Sequence, residues 1–441
     1  MINFLNYRIF LILFLSAVSR VASIYFYGDT TVDNEWGVML DNLEQNKILS
    51  VRSVDGVPVP NIFMPPLYPL FLYSIKFFLN DVANFLNVTK IIQLLISLFS
   101  IFVFYRILQK LFPKKLTLFG TLVYAFFPLN IYAVSQISSV TLQMFLINIF
   151  LLCFINFFKK IDLKNIFGFA ISSALLILLR GEFFIFVILS LIYLLLRDKR
   201  QIIEVIIITV FIALIISPYL YRNYQIFGVV TITKSSGYNL LKGNHPSTVV
   251  QGTGMFKRVG DVVPDVKSKI DSLRLKGPIQ EHDLEMDKIL FDQAIKYIKG
   301  DPLRYIKLYF QKFLSFLFID INSTYPNYYS LIHIIPKIIL SISTIIGVAL
   351  ILSTKINFFH YLSLFYISNI GLFSIFFILP RYSLFLLTIQ IIISLYGFTA
   401  IKKKLKLSVL MKKIINLSLS KAVIFFFITV IIFLIILSYF L

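Results

Sequence analysis

The sequence predicts an all-α protein that crosses a membrane many times, on about eleven transmembrane helices. Three observations carry this. Of the 441 residues, 58% are hydrophobic and only 14% are charged, where a soluble domain holds nearer a quarter. Apolar runs recur along the chain, most of them close to the roughly 20 residues a helix needs to cross a bilayer. Lys and Arg gather in the short connections between those runs, where they act as orientation signals. That placement also explains the formal charge of +21 without nucleic acid.

In chain order, the predicted spans are 5–26, 85–108, 116–132, 139–158, 165–179, 183–196, 202–221, 330–353, 357–379, 382–401 and 422–440. Residues 9–18 resemble a signal-peptide core, but "SAVSRVAS" is a poor cleavage site, so the first run is taken as a span. The basic connections "QKLFPKK", "KKIDLKN", "RDKRQ", "TKIN" and "KKKLKLSVLMKK" fall on one side, which the positive-inside rule makes cytoplasmic. Two long polar segments, 27–66 and 222–329, then face outward. Cys153 is the one cysteine and the four histidines are scattered, so neither a disulfide framework nor a Cys or His metal site is indicated. No cofactor is implied, and no divalent metal is indicated.

The outward segments carry structure of their own. Within 33–46, Trp36, Met39, Leu40 and Leu43 recur at helical spacing, which predicts a helix lying at the interface. "NIFMPPLYPLFLYSIKFFL" predicts a new helix near Leu67, after the proline pair. It is expected to be re-entrant, because a span there would break the charge alternation. The segment 301–318 places Arg304, Lys307 and Lys312 among aromatics and is expected to lie flat, since a central membrane charge is costly. The expected organisation is one membrane domain over 1–401, then a basic cytoplasmic linker and a terminal helix over 402–441.

Polar groups that persist at membrane edges are functional candidates, and four stand out on the outward face. "GDTTVDNEW" supplies Asp29, Asp33 and Glu35, and "LLRGEFF" supplies Arg180 and Glu182. "SPYLYRNYQIFG" supplies Arg222 and Asn223, and "ILPRYSLF" supplies Arg381 and Tyr382. Carboxylates from one loop and arginines from three distant segments suit a general base beside a lipid phosphate, which the planar Arg fork binds through two oxygens. The structural alternatives are plain. Asp33 serves as a helix N-cap, Glu35 complements the helix dipole, Arg180 pairs with Glu182, and Arg222 and Arg381 anchor the interface.

Taken in order, "DNEW…DNL", "PPLYPLFLY", "YAFFPLNIYAVSQISSVTL", "LLRGEFF", "SPYLYRNYQIFG…SSGYNLLKGNHPS", "FDQAIKYIKGDPLRYIKLYFQKF" and "PRYSLFLL" resemble the GT-C class of polytopic glycosyltransferases. The likeness is to the family 39-like group, the protein mannosyltransferase and lipid A aminoarabinose transferase type. The resemblance implies a GT-C-like bundle. It also implies inverting transfer of a hexosyl or pentosyl group from a polyprenyl-phosphate donor to a glycan, lipid or protein acceptor, in a cell-envelope pathway such as lipopolysaccharide biosynthesis. The active site would face outward from the cytoplasmic membrane. Asp33 is then the base, with Glu35 and Asp29 as alternates. Arg222, Arg381 and Arg180 bind the donor phosphate, and Tyr238, Asn239, Asn244 and Tyr382 contact sugar or acceptor. Met64 and Val140 stand where relatives often carry a basic residue and a Glu. Two other classes compete: an O-antigen polymerase or ligase, which lacks the acidic loop after the first span, and a lipid-linked sugar flippase, which would place polar residues near the midplane.

Overall fold

The structure is a computed structural model that describes residues 7–411, apart from 33, 80–81, 160–161, 251–262, 278, 320–330 and 355. The described residues are almost wholly helical. Among the described residues, seven helices are long and apolar enough to cross a membrane, or eight if a bent pair counts as one span, and two more apolar helices are shorter. This is a multi-pass membrane protein. The predicted run 422–440 lies outside the described residues, so the figure of eleven spans is not reproduced. By packing, the chain divides into Met1–Leu241 with Arg258–Ile295, and Lys242–Lys257 with Lys296–Leu441.

The first unit opens with α1 (Tyr7–Tyr27). Its outer surface is apolar, yet its buried face holds Ser16, Arg20 and Ser23 at helical spacing. Arg20 is fully buried. Its Nε donates to Ser97 Oγ at 2.8 Å and its Nη1 to the Ala125 carbonyl oxygen at 3.0 Å, as well as to Ser16 Oγ. One guanidinium thus joins α1 to α4 (Val82–Leu111) and α5 (Lys114–Phe126) through neutral acceptors. Deeper in, Asn148 of α7 (Val140–Lys159) donates to Ser100 Oγ and to Tyr124 Oη, both at 2.9 Å. That network satisfies polar groups which water cannot reach.

The predicted span 116–132 is two helices, α5 and α6 (Pro128–Ser135), bent by 46°. Pro128 has no N–H to give and holds Phe127 in an extended conformation. The Asn130 side chain closes the gap by donating to the Tyr124 carbonyl oxygen at 2.8 Å. Beyond it, α7 packs on α4 and on α8 (Leu163–Leu179), and α8 packs on α10 (Ile202–Phe227); α9 (Phe183–Arg197) lies between them in sequence.

The polar segments of this unit are also ordered. Met39, Leu40 and Leu43 of α2 (Glu35–Asn46) are buried, as their spacing predicts. The N-cap is Asn34, whose side chain accepts from the Trp36 N–H at 3.0 Å. A two-stranded hairpin follows, β1 (Arg52–Val54) and β2 (Val57–Val59). Asp55 and Gly56 turn it with φ of 51° and 81°, the Asp-Gly chemistry of a two-residue hairpin loop. The helix predicted near Leu67 is α3 (Leu67–Lys76); at roughly 15 Å it is too short to cross a bilayer. Lys76 ties it to α2 through Glu44 at 2.6 Å and Asp41 at 3.4 Å. Three further helices follow, α11 (Ser236–Gly243), α12 (Pro264–Arg274) and α13 (His282–Gly300).

In the second unit, α14 (Pro302–Leu317) packs on α16 (Phe358–Ile375), and α15 (Leu331–Leu352) packs on α17 (Leu387–Met411). The α15–α17 seam is built from small residues. A Cβ on Gly397 would stand 2.9 Å from the Cα of Gly347, and Thr344 and Ser394 exchange a hydroxyl hydrogen bond at 3.2 Å. Such seams allow close backbone approach, the packing term that drives helix association in lipid. Lys312 of α14 is fully buried, with its Nζ donating to Asn244 Oδ1 at 3.0 Å. The buried amide offers the acceptor that a buried ammonium needs.

Candidate active site

In the first unit, the polar residues near α3 form two linked clusters. The first surrounds Asp29, just past the end of α1 and half-buried. Its Oδ2 accepts from the Ile137 N–H at 2.6 Å, its N–H donates to the Ser135 carbonyl oxygen at 3.0 Å, and its carbonyl oxygen accepts from Lys90 Nζ at 2.9 Å. Burial raises the Asp29 carboxyl above its ordinary range, against the lowering effect of the Ile137 N–H and the Lys90 charge. Gln93 donates to the Gln136 carbonyl oxygen at 2.8 Å and accepts from Tyr68 Oη at 3.0 Å. The Tyr68 ring meets Trp36 edge-on, with centroids 4.9 Å apart. The α2 tryptophan and the Asp29 carboxylate are therefore ends of one contact chain through α3.

The second cluster is organised by Asn61, buried just ahead of the proline pair. Its Oδ1 accepts from the Phe63 and Met64 N–H groups at 2.9 and 2.8 Å. Arg222, near the end of α10, donates through Nη1 to the Asn61 carbonyl oxygen and to Asn223 Oδ1, both at 2.7 Å. Among the described residues its Nε and Nη2 make no hydrogen bond; in a guanidinium these two nitrogens present parallel N–H groups, the geometry that suits an oxyanion. Asn223 is buried and donates to the Thr231 carbonyl oxygen at 2.6 Å, which fixes the chain after α10.

Two buried carboxylates four residues apart on α13 hold this frame. Asp283 pairs with Arg52 of β1 and accepts from the Ile62 N–H at 3.3 Å. Asp287 accepts from the Gly237 and Tyr238 N–H groups at 2.7 and 3.1 Å, at the start of α11. Burial raises its carboxyl, against those two bonds. Gly237 is required there, because a Cβ would collide with the α13 backbone at Asp287 and Phe291. The Tyr238 ring in turn meets Phe63 edge-on at 5.2 Å.

The predicted site residues therefore fall as follows. Asp29, Glu35, Arg180, Arg222, Tyr238 and Asn239 belong to the first unit, and Asn244, Arg381 and Tyr382 to the second. Asp33 lies outside the described residues. Glu35 is exposed in the first turn of α2. Arg180 pairs with Glu182 at 3.5 Å, the neutralising arrangement. Asn239 donates to the Ser235 carbonyl oxygen at 2.9 Å. Asn244 accepts from Lys312 and donates to the Ile375 carbonyl oxygen at 2.8 Å. Arg381 is exposed in the 3₁₀ turn Pro380–Leu386, and the Tyr382 ring lies 6.0 Å from that of Phe373. Among the described residues, no group of three His, Cys, Asp or Glu could hold a metal ion. Sequence reasoning missed Asn61, Lys90, Gln93, Asp283 and Asp287. Only Asn61 had a signal, its place beside the proline pair.

Comparison with known proteins finds a family model that matches part of the chain and solved structures that are similar to it. Residues 49–248, just under half of the chain, match the model of the Alg9-like mannosyltransferase family. The segment includes Asn61, Lys90, Arg180, Arg222, Tyr238 and Asn244, and it supports a GT-C type of fold. No curated protein matches the chain. Two solved structures of the Archaeoglobus fulgidus oligosaccharyltransferase are similar. The one with a tethered acceptor peptide is 15% identical, with 92% of this chain and 51% of that chain covered and a TM-score of 0.49. The apo form is 15% identical, with 99% and 55% covered and a TM-score of 0.48. The chain spans about half the length of that protein.

Proposed function

We propose that this protein is a glycosyltransferase of the GT-C type. In this reading it moves a sugar, with inversion, from a polyprenyl-phosphate donor to a cell-envelope acceptor at the outer face of the cytoplasmic membrane. The observation that carries the reading is Arg222, anchored by one nitrogen to the Asn61 loop while the rest of its fork stays open. The family match over 49–248 supports the same class of lipid-linked donor. The family-39-like subtype and the envelope acceptor rest on the sequence resemblance.

The chemistry follows from those groups. Arg222 binds a phosphate oxygen of the donor and stabilises the charge that grows there as the sugar–oxygen bond breaks. Arg381 and Arg180 are further phosphate contacts that the sequence resemblance implies, although Glu182 pairs with Arg180 in this structure. Asp33 takes the proton of the acceptor hydroxyl as that oxygen attacks the anomeric carbon, assistance worth roughly 10²–10⁴-fold. Asp29 and Glu35 are the alternates, and Asp29 already sits in a polar cradle beside Lys90. Tyr238 and Tyr382 present ring and hydroxyl to sugar or acceptor, with Asn239; Asn244 acts by positioning Lys312.

The test is Asp33→Asn in purified protein supplied with labelled polyprenyl-phosphate sugar and membrane-derived acceptor. Transfer is expected to stop while donor binding and folding persist. Undiminished transfer would remove Asp33 from the mechanism. Absence of any sugar transfer by the wild type across hexosyl and pentosyl donors would sink the reading itself.

A further inference from the structure

The second unit buries a cation that the reading above does not use. Lys337 lies on α15, six residues from its start and roughly 9 Å along the axis, and is 5% exposed. Its Nζ donates to Ser383 Oγ at 3.3 Å, and Ser383 Oγ in turn donates to the Pro380 carbonyl oxygen at 2.9 Å. An ammonium has three N–H donors, and among the described residues one is engaged. Among the described residues no carboxylate pairs with Lys337. A lysine inside a span is costly, and its usual escape is to reach the headgroups. This one is turned inward instead.

What it faces is a small, partly open cavity of about 10 Å³ between the end of α14 and the 3₁₀ turn Pro380–Leu386. Ser315, Lys337 and Ser383 are its polar lining; Phe318, Ile378 and Leu379 are apolar walls. Among the described residues, Ser315 Oγ is buried there without a hydrogen-bond partner. The enclosed part has room for about one water-sized group. So one cation, two hydroxyls and a narrow apolar throat converge on a single small acceptor. A lone oxygen of a larger anion fits this description. A membrane span with apolar walls selects an anion that is itself carried on a lipid.

We propose that Lys337, Ser383 and Ser315 form a binding site for one phosphoryl oxygen of a lipid phosphate. The rest of the headgroup stays at the open side, where Arg381 is exposed in the same turn as Ser383. The site does not depend on the sugar-transfer reading; it needs only a membrane-spanning chain. Two lipids share the chemistry, a polyprenyl phosphate and an anionic phospholipid.

The experiment uses the full chain in detergent micelles, titrated separately with undecaprenyl phosphate, phosphatidylglycerol and inorganic phosphate. Wild type is expected to bind at least one of the two lipids, and the tighter one identifies the source. Lys337→Met should weaken that binding roughly tenfold or more, the size of one charge-assisted hydrogen bond, and Lys337→Arg should retain most of it. Without ligand, Lys337→Met should melt at or above the wild-type temperature, since it removes an unpaired buried charge. Equal lipid affinity in wild type and Lys337→Met would overturn the proposal, as would Lys337-dependent binding of inorganic phosphate as tight as that of the lipids. So would a lowered melting temperature in ligand-free Lys337→Met, which would mark the loss of an internal ion pair.

Discussion

Arg222 and Asn61 are 161 residues apart in the chain and are joined by a 2.7 Å hydrogen bond from the guanidinium Nη1 to the Asn61 carbonyl oxygen. The bond fixes the end of α10 against the loop that launches α3. It also orients the guanidinium plane, because one edge is tied down while Tyr219 and Phe227 lie 5.7 and 5.4 Å from its centre. A cation held this way has little left to lose in entropy when an oxyanion arrives.

Arg222→Lys keeps the charge and loses the fork. Lysine cannot hold the Asn61 carbonyl and a phosphate oxygen in the same plane. The expected outcome is a rate of sugar transfer lower by about 100-fold, in the range seen when one preorganised oxyanion donor is removed, with the melting temperature changed by only a few degrees. Labelled donor turnover beside a thermal melt checks it; wild-type turnover in the variant would show that the fork is structural.

Asp29 gives a pH signature. Its carboxyl is raised by burial, so folding favours the protonated form. The stability Asp29 contributes is complete below about pH 4, the ordinary carboxylate range, and is lost as pH rises through the higher folded value. Asp29→Asn keeps an acceptor for the Ile137 N–H and cannot ionise. The variant should match wild type in melting temperature near pH 3 and exceed it at pH 7. A constant difference across that range would show that Asp29 ionisation is not linked to folding.

How much of this was legible follows from the kind of signal each residue leaves. The buried face of α2 was readable because Met39, Leu40 and Leu43 repeat at 3.6-residue spacing. The start of α3 was readable from its proline pair. The hairpin at 52–59 carries an Asp-Gly signal, too short a pattern to stand out between two helices. Arg20, Asn148 and Lys337 are different. Each is one polar residue in an apolar run, and its meaning depends on which distant helix supplies Ser97, Ser100 or Ser383. Spacing along one chain segment cannot reveal that. Asp283 and Asp287 were hidden for the opposite reason: they stand in a charged stretch where an acid four residues from another looks like solvated surface.

Asp283 is a test of that hidden frame. It is buried and pairs with Arg52, whose side chain retains 24% exposure, and it also accepts from the Ile62 N–H. Removing one partner of a buried pair strands the other and typically costs about 3–5 kcal/mol. Since Arg52 keeps some access to water, Asp283→Ala should sit near the lower bound, about 3 kcal/mol. Chemical denaturation checks the magnitude. Limited proteolysis within 47–62 should accelerate in the variant, since the hairpin loses its tie to α13.

Lys312 makes the most specific pH prediction. Burial pushes its amine down to about 7, against roughly 10.4 for an unfolded lysine. Folding therefore favours the neutral amine. The penalty for burying it is complete below pH 7 and is relieved as pH rises from about 7 to about 10. The melting temperature should climb over that window in wild type, and Lys312→Met should flatten the climb. Asn244→Asp offers the converse test. It places a carboxylate where the Asn244 oxygen now accepts from Lys312, stabilises the ammonium, and should raise the melting temperature at pH 7 while removing the gain at higher pH. If both variants keep the wild-type slope, another group titrates in that window and Lys312 stays charged in its buried site.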